Sequence, residues 1–177
     1  MSPSWRDGLA IAVQPDEVRL QRHRRGWTRR SDRPVCIPVA AGAAAAGACL
    51  QALDHALPAG ERRAFDAHVV LSNHLVRYAV VPGVADLRDS VEREAAARHA
   101  MTSTYGDMAG RWRVVLDSFG PADDALAAAI DEELFTTLTE QLKAAGARRL
   151  HVEPLFAFAM NRCLRSVTAR TGWVAVV

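Results

Sequence analysis

Apolar and polar positions alternate along the first stretch of the chain. Leu9, Ile11 and Val13 share one parity, Gln14-Pro15-Asp16 has turn chemistry, and Val18 and Leu20 return on the same side. This predicts a β-hairpin over 8–26, one face of which is apolar. A third strand is predicted over 32–40, at an edge or with its ends marked by Pro34 and Pro38. The alanine-rich run that follows suits a helix over 43–57, stopped by Pro58 and Gly60. Two strands joined as a hairpin by a tight corner at Ser72-Asn73 are expected over 64–82. An amphipathic helix is then predicted up to Tyr105-Gly106, its apolar stripe formed by Leu87, Val91, Ala95 and Met101. Strands over 111–119 and 124–130 flank the turn Gly120-Pro121. Asp131 has the character of an N-cap for a helix through Leu134, Leu138 and Leu142, closed by Gly146. A strand over 148–155, a helix over 156–172 and an apolar strand from Trp173 to Val177 complete the series.

The resulting order, βββα, ββα, ββα, βαβ, predicts an α/β fold. Its last strand–helix–strand unit favours a parallel pair with a right-handed crossover. The chain stops inside an apolar strand, which leads us to expect that a second half is missing. At 177 residues, 50% of them hydrophobic and 24% charged, the chain can bury a proper core. The apolar run 39–50 is too short to span a bilayer, which takes about 20 residues, and no secretory leader is visible; a soluble protein without a transmembrane segment is expected. Cys36, Cys49 and Cys163 are odd in number and far apart, which suits a reducing compartment and no disulfide framework.

The chemistry-bearing residues form no strong motif. Ser72-Asn73-His74 places a nucleophile near a base, but Ser and Asn are turn formers and no glycine-rich elbow surrounds the serine. His23, His55, His68, His74, His99 and His151 show no HxxxH or HxH spacing, so no metal site is expected. Asp66, Asp117, Asp131 and Glu153 are candidate acids that nothing in the sequence makes converge. Neither common phosphate-cradling glycine motif is present. Net charge is only +2, yet seven arginines lie within 19–33. Of these, Arg22, Arg24, Arg25, Arg29 and Arg30 make a candidate basic patch that could meet phosphate or anionic lipid.

Two longer stretches carry a resemblance. "VVLSNHLVRYAVVPGVADL" and "ALAAAIDEELFTTLTEQLKAAGARRLHVEPLFAFAMNR" resemble one half of an actin-like ATPase. They are similar in particular to the PilM-like proteins of pilus assembly and to the cytoplasmic domain of type II secretion GspL. The resemblance implies an RNase-H-like/actin-like half-domain, with a mixed sheet, flanking helices and an inserted small αβ subdomain. On that frame residues 1–63 begin the core, 64–122 form the insertion and 123–177 return to the core. Nucleotide-binding relatives resemble "I-D-[IL]-G-[ST]" in the first hairpin, where this chain has Ala12 and Gln14. An ion-organising acid and a close-approach glycine are both missing, so no cofactor, no ATP hydrolysis and no catalytic residue are expected.

The function implied is a non-catalytic scaffold at the cytoplasmic face of a pilus or secretion machine. Its expected partner is an inner-membrane pilus or secretion protein; a homodimer is allowed and nucleic acid is disfavoured. Arg77, Tyr78 and Trp112 are the candidate partner-binding residues. Two other functions stay open: an RNase-H-like nucleic-acid enzyme, and a nucleic-acid or lipid binder using the arginine patch.

Overall fold

A computed structural model describes residues 7–24, 30–39, 45–57, 64–87, 89–117 and 124–163. The chain divides into two compact units, 1–73 together with 139–177, and 74–138. The expected last strand, from Trp173, and the parallel pair built on it lie outside the described residues.

The first unit is built on a mixed sheet. β1 (Asp7–Val13) and β2 (Glu17–Arg24) form the expected antiparallel hairpin, with Ile11 opposite Leu20 and Val13 opposite Val18. Two short strands, β3 (Arg30–Ser31) and β4 (Val35–Pro38), both pair with β2; β4 is the third strand expected over 32–40, and β3 precedes those bounds. α1 (Ala45–Ala56) leads to β5 (Phe65–Leu71), which lies parallel to β1, and β9 (Ala147–Pro154) lies parallel to β5. The order is β3-β2-β1-β5-β9, with β4 also on β2. One face is uniformly apolar: Leu9, Ile11, Val13, Val18, Leu20, Phe65, Val69 and Leu71 are buried, with Cys49 and Leu53 of α1. The other face is mostly small or polar, with Gly8, Ala10 and Ala12 on β1 beside Asp66 and His68 on β5, and Val70 as its apolar member. α4 (Leu155–Cys163) follows β9 directly, and its Phe158 ring lies 5.8 Å from that of His68, so α4 covers part of this second face.

The second unit is a three-stranded antiparallel sheet, β6 (Arg77–Val81), β8 (Ala125–Asp131) and β7 (Trp112–Asp117), in the order β6-β8-β7. α2 (Ser90–Tyr105) packs on one face of it. Ala79, Ala125, Ala127 and Ala129 line that face, so the helix can approach closely, and Met101 fills the centre with no exposure. α2 is capped by Asp89, whose Oδ1 accepts the Glu92 amide at 2.7 Å, and ends at Gly106, where φ is +70°. A positive φ there favours glycine over any residue with a Cβ. The buried stripe is Ala97 and Met101, flanked by Ala96, Ala100 and Tyr105. This corrects the expected stripe. Val84–Asp86 forms a separate 3₁₀ turn, Leu87 precedes the helix, and Val91 is 73% exposed. At 3.6 residues per turn Val91 lies about 80° round the helix from Met101, off the buried face.

The strands over 64–82 do not form a hairpin. β5 belongs to the large sheet and β6 to the small one, and the change of unit falls between Asn73 and His74. Alternation in both runs is equally compatible with either pairing, because it reports a buried face and not the neighbouring strand. The return to the first unit falls inside α3 (Glu132–Ala144). Its start is as predicted: Asp131 Oδ1 accepts the amides of Glu133 and Leu134 at 3.0 and 3.1 Å. Leu134, Leu138 and Leu142 are buried, and Gly146 closes the helix at φ +105°.

Candidate functional site

In an open α/β sheet, ligands bind beyond the carboxyl ends of the parallel strands, where the strand order reverses. Here β1 is flanked by antiparallel β2 and parallel β5, so its exit into Gln14-Pro15-Asp16 is that place. The exit is closed by local bonds. The Gln14 amide donates to the Glu17 carbonyl at 2.9 Å, the Ser72 amide donates to the Val13 carbonyl at 2.9 Å, and the Cys49 thiol donates to the Gln14 carbonyl at 3.1 Å. Burial raises the Cys49 pKa, with a smaller contribution from Asp16. The thiol is therefore held protonated and acts as a donor, not as a nucleophile. Neither Ala12 nor Gln14 can supply an anionic ligand.

The Ser72-Asn73-His74 stretch sits at the neighbouring exit of β5. Ser72 is buried, and Asn73 Oδ1 accepts the amide of Phe156 at 3.3 Å. Phe156 is in the first turn of α4, so Asn73 caps a helix far away in sequence. This geometry assigns the stretch a structural role that its turn chemistry only partly signals.

The arginines of β2 and β3 partly converge. Arg24 and Arg30 stand opposite each other across the two strands, and Arg22 shares their parity. Arg24 Nε lies 3.2 Å from Asp32 Oδ2, which offsets one positive charge. Arg22 and Asp32 also border a groove of about 550 Å³ floored by Leu9, Leu20, Ile37 and Leu57. Arg25 and Arg29 lie outside the described residues.

Arg77, Tyr78 and Trp112 do not form one patch. The Arg77 guanidinium donates to the carbonyls of His74 and Val76 at 3.0 and 3.2 Å. Its register places it on the α2 side of the small sheet, with Ala79 and Val81. Trp112 is on that side too, buried edge-to-face against Tyr105 at 5.3 Å. Only Tyr78 points to the outer face, in register with Ala128 and Val115. Val80 and Val115 on that face are both 62% exposed, and Leu126 beside them is half-buried. The sequence did not single out these valines, because alternation marks both faces of a strand and cannot tell which one is left uncovered.

Among the described residues one cluster carries metal-type donors: His68, His151 and Glu153. The sequence expectation of no metal site rested on spacing along the chain. The pairing of β5 with β9 creates a proximity that such spacing does not register.

Three solved structures are similar to the chain. A protein of Bacteroides thetaiotaomicron VPI-5482, described as having an actin-like ATPase fold and unknown function, matches with a TM-score of 0.61 at 10% identity, over 92% of this chain and 57% of that one. The cytoplasmic domain of EpsL, an inner membrane component of the Vibrio cholerae type II secretion system, matches with a TM-score of 0.54 at 13% identity, over 82% and 57%. A PilM–PilN type IV pilus biogenesis complex matches with a TM-score of 0.52 at 20% identity, over 93% and 51%. The chain thus spans a little over half the length of each. No family model and no curated protein matches it. The fold is that of an actin-like half-domain, as the sequence resemblance implied. Among the described residues no helix is long and apolar enough to cross a membrane.

Proposed function

We propose that the protein is a non-catalytic scaffold of a type IV pilus or type II secretion machine, docking a segment of an inner-membrane partner at the cytoplasmic face. The observation that carries this reading is the β1–β2 exit. The actin-like fold is kept, but Ala12 and Gln14 stand where an ion-organising acid and a phosphate-approaching glycine would be needed, and local hydrogen bonds close the turn. The similarity to the EpsL cytoplasmic domain and to a PilM–PilN complex supports an assembly role. The docking surface is the outer face of the small sheet, where Tyr78, Val80 and Val115 present apolar area to an amphipathic segment.

Two experiments test it. Membrane proteins from the source cells are recovered on the tagged full chain and compared with those recovered on Tyr78→Asp and Val80→Asp variants. Loss of one inner-membrane partner from both variants is expected; recovery unchanged from the parent refutes this surface. Calorimetric titration with magnesium ATP should show weak or no binding, and micromolar affinity overturns the non-catalytic reading.

A further inference from the structure

β5 and β9 run parallel with His68 opposite His151 and Val70 opposite Glu153. Side chains two apart on a strand share a face, so this register gathers His68, His151 and Glu153 on the second face of the large sheet. The Glu153 side chain is only 14% exposed. Its two oxygens face different imidazoles: Oε1 lies 2.5 Å from His68 Nε2, and Oε2 lies 3.7 Å from His151 Nε2. Phe158 of α4 forms an apolar wall beside the His68 ring.

We propose that His68, His151 and Glu153 form a binding site for one late first-row divalent cation, with zinc as its representative. Two imidazole nitrogens and a carboxylate suit zinc, nickel or copper, whereas magnesium and calcium prefer all-oxygen sets. The three donor atoms lie within 4.8 Å of one another. Bonds of about 2.0–2.2 Å in a tetrahedral site place donors roughly 3.3 Å apart. His68 and Glu153 therefore separate slightly and the widest pair closes. His151, whose side chain is 68% exposed, has room to rotate and make that change. Three protein ligands leave a fourth position for water or a partner's donor. A bound ion cross-links β9 to β5 just before α4 begins. The proposal does not depend on the assembly reading.

The test uses the full chain, purified with chelator and then dialysed. Zinc affinity is measured by competition with a chromophoric chelator, and ligand geometry by the visible spectrum of the cobalt form. One equivalent of zinc is expected, with a rise in melting temperature as zinc saturates. His151→Ala and Glu153→Gln should weaken binding by at least about tenfold. His99→Ala, at an exposed position of α2, and Cys36→Ser should leave it unchanged. The proposal fails if no stoichiometric binding occurs, if His151→Ala binds as the parent does, or if affinity is lost with Cys36→Ser. Because His151 is exposed, its variant decides the matter even if Glu153→Gln does not fold.

Discussion

Replacing Met101 by alanine tests the packing on which the second unit rests. Met101 is fully buried between α2 and a sheet face made largely of alanines. The substitution removes three heavy atoms beyond Cβ, and at about 0.8 kcal/mol for each methylene-sized group the transfer loss is about 2.4 kcal/mol. The cavity adds to this. Ala79, Ala125, Ala127 and Ala129 have no longer side chains to swing into the space, and they sit on a hydrogen-bonded sheet that resists collapse. The total should be about 3–4 kcal/mol, within the range of about 2–5 kcal/mol usual for such truncations. Native-state hydrogen exchange reads the loss directly, as lowered opening free energies for the amides of α2 and β8. The converse change, Ala127→Leu, should also destabilise, by about 1–3 kcal/mol, because the helix has no slack above it. If Met101→Ala costs less than about 1 kcal/mol, or Ala127→Leu stabilises, the close helix-on-alanine packing is refuted.

Asn73→Ala should lower the protection of the first amides of α4 by about 0.5–2 kcal/mol, since the Phe156 amide loses its acceptor, while β5 stays protected. Hydrogen exchange distinguishes this from a general loss. Arg113 grips Glu132 through two bonds, at 2.7 and 3.0 Å, and these hold the Glu132 carboxyl below its ordinary pKa. The folded pKa lies below the unfolded one, so the contribution is present above about pH 4.3 and is lost as pH falls through the lowered value. Denaturation of the parent and Glu132→Gln should therefore differ at neutral pH and converge on acidification. A gap that widens in acid contradicts the pairing.

The patterning made the hairpin, the Asp131 cap and the three-leucine stripe of α3 legible, because each depends on residues within a few positions of one another. The sheet assignment of 64–82 was not legible. Phe65–Leu71 alternates as an edge of a hairpin would, and only β1 and β9 on either side of it show that it is central. The same non-local pairing hid the His68–His151–Glu153 cluster, whose members lie 83 residues or more apart across the two strands. The expected α2 stripe failed because Leu87 lies before the helix, after a 3₁₀ turn at Val84–Asp86, and because Val91 stands about 80° round the helix from Met101. Trp112, named among the candidate partner-binding residues, is buried against Tyr105, a burial that depends on the distant α2.

The boundary at Leu138 and Thr139 lies within a helix and not in a loop. A deletion of 74–138 would remove the first seven of the thirteen residues of α3, together with the Asp131 that caps it. The stub left behind would be too short to hold helical shape in water. Anyone wishing to transplant or trim the smaller unit must therefore supply a new helix start, because the chain offers a clean cut on the way in but none on the way out.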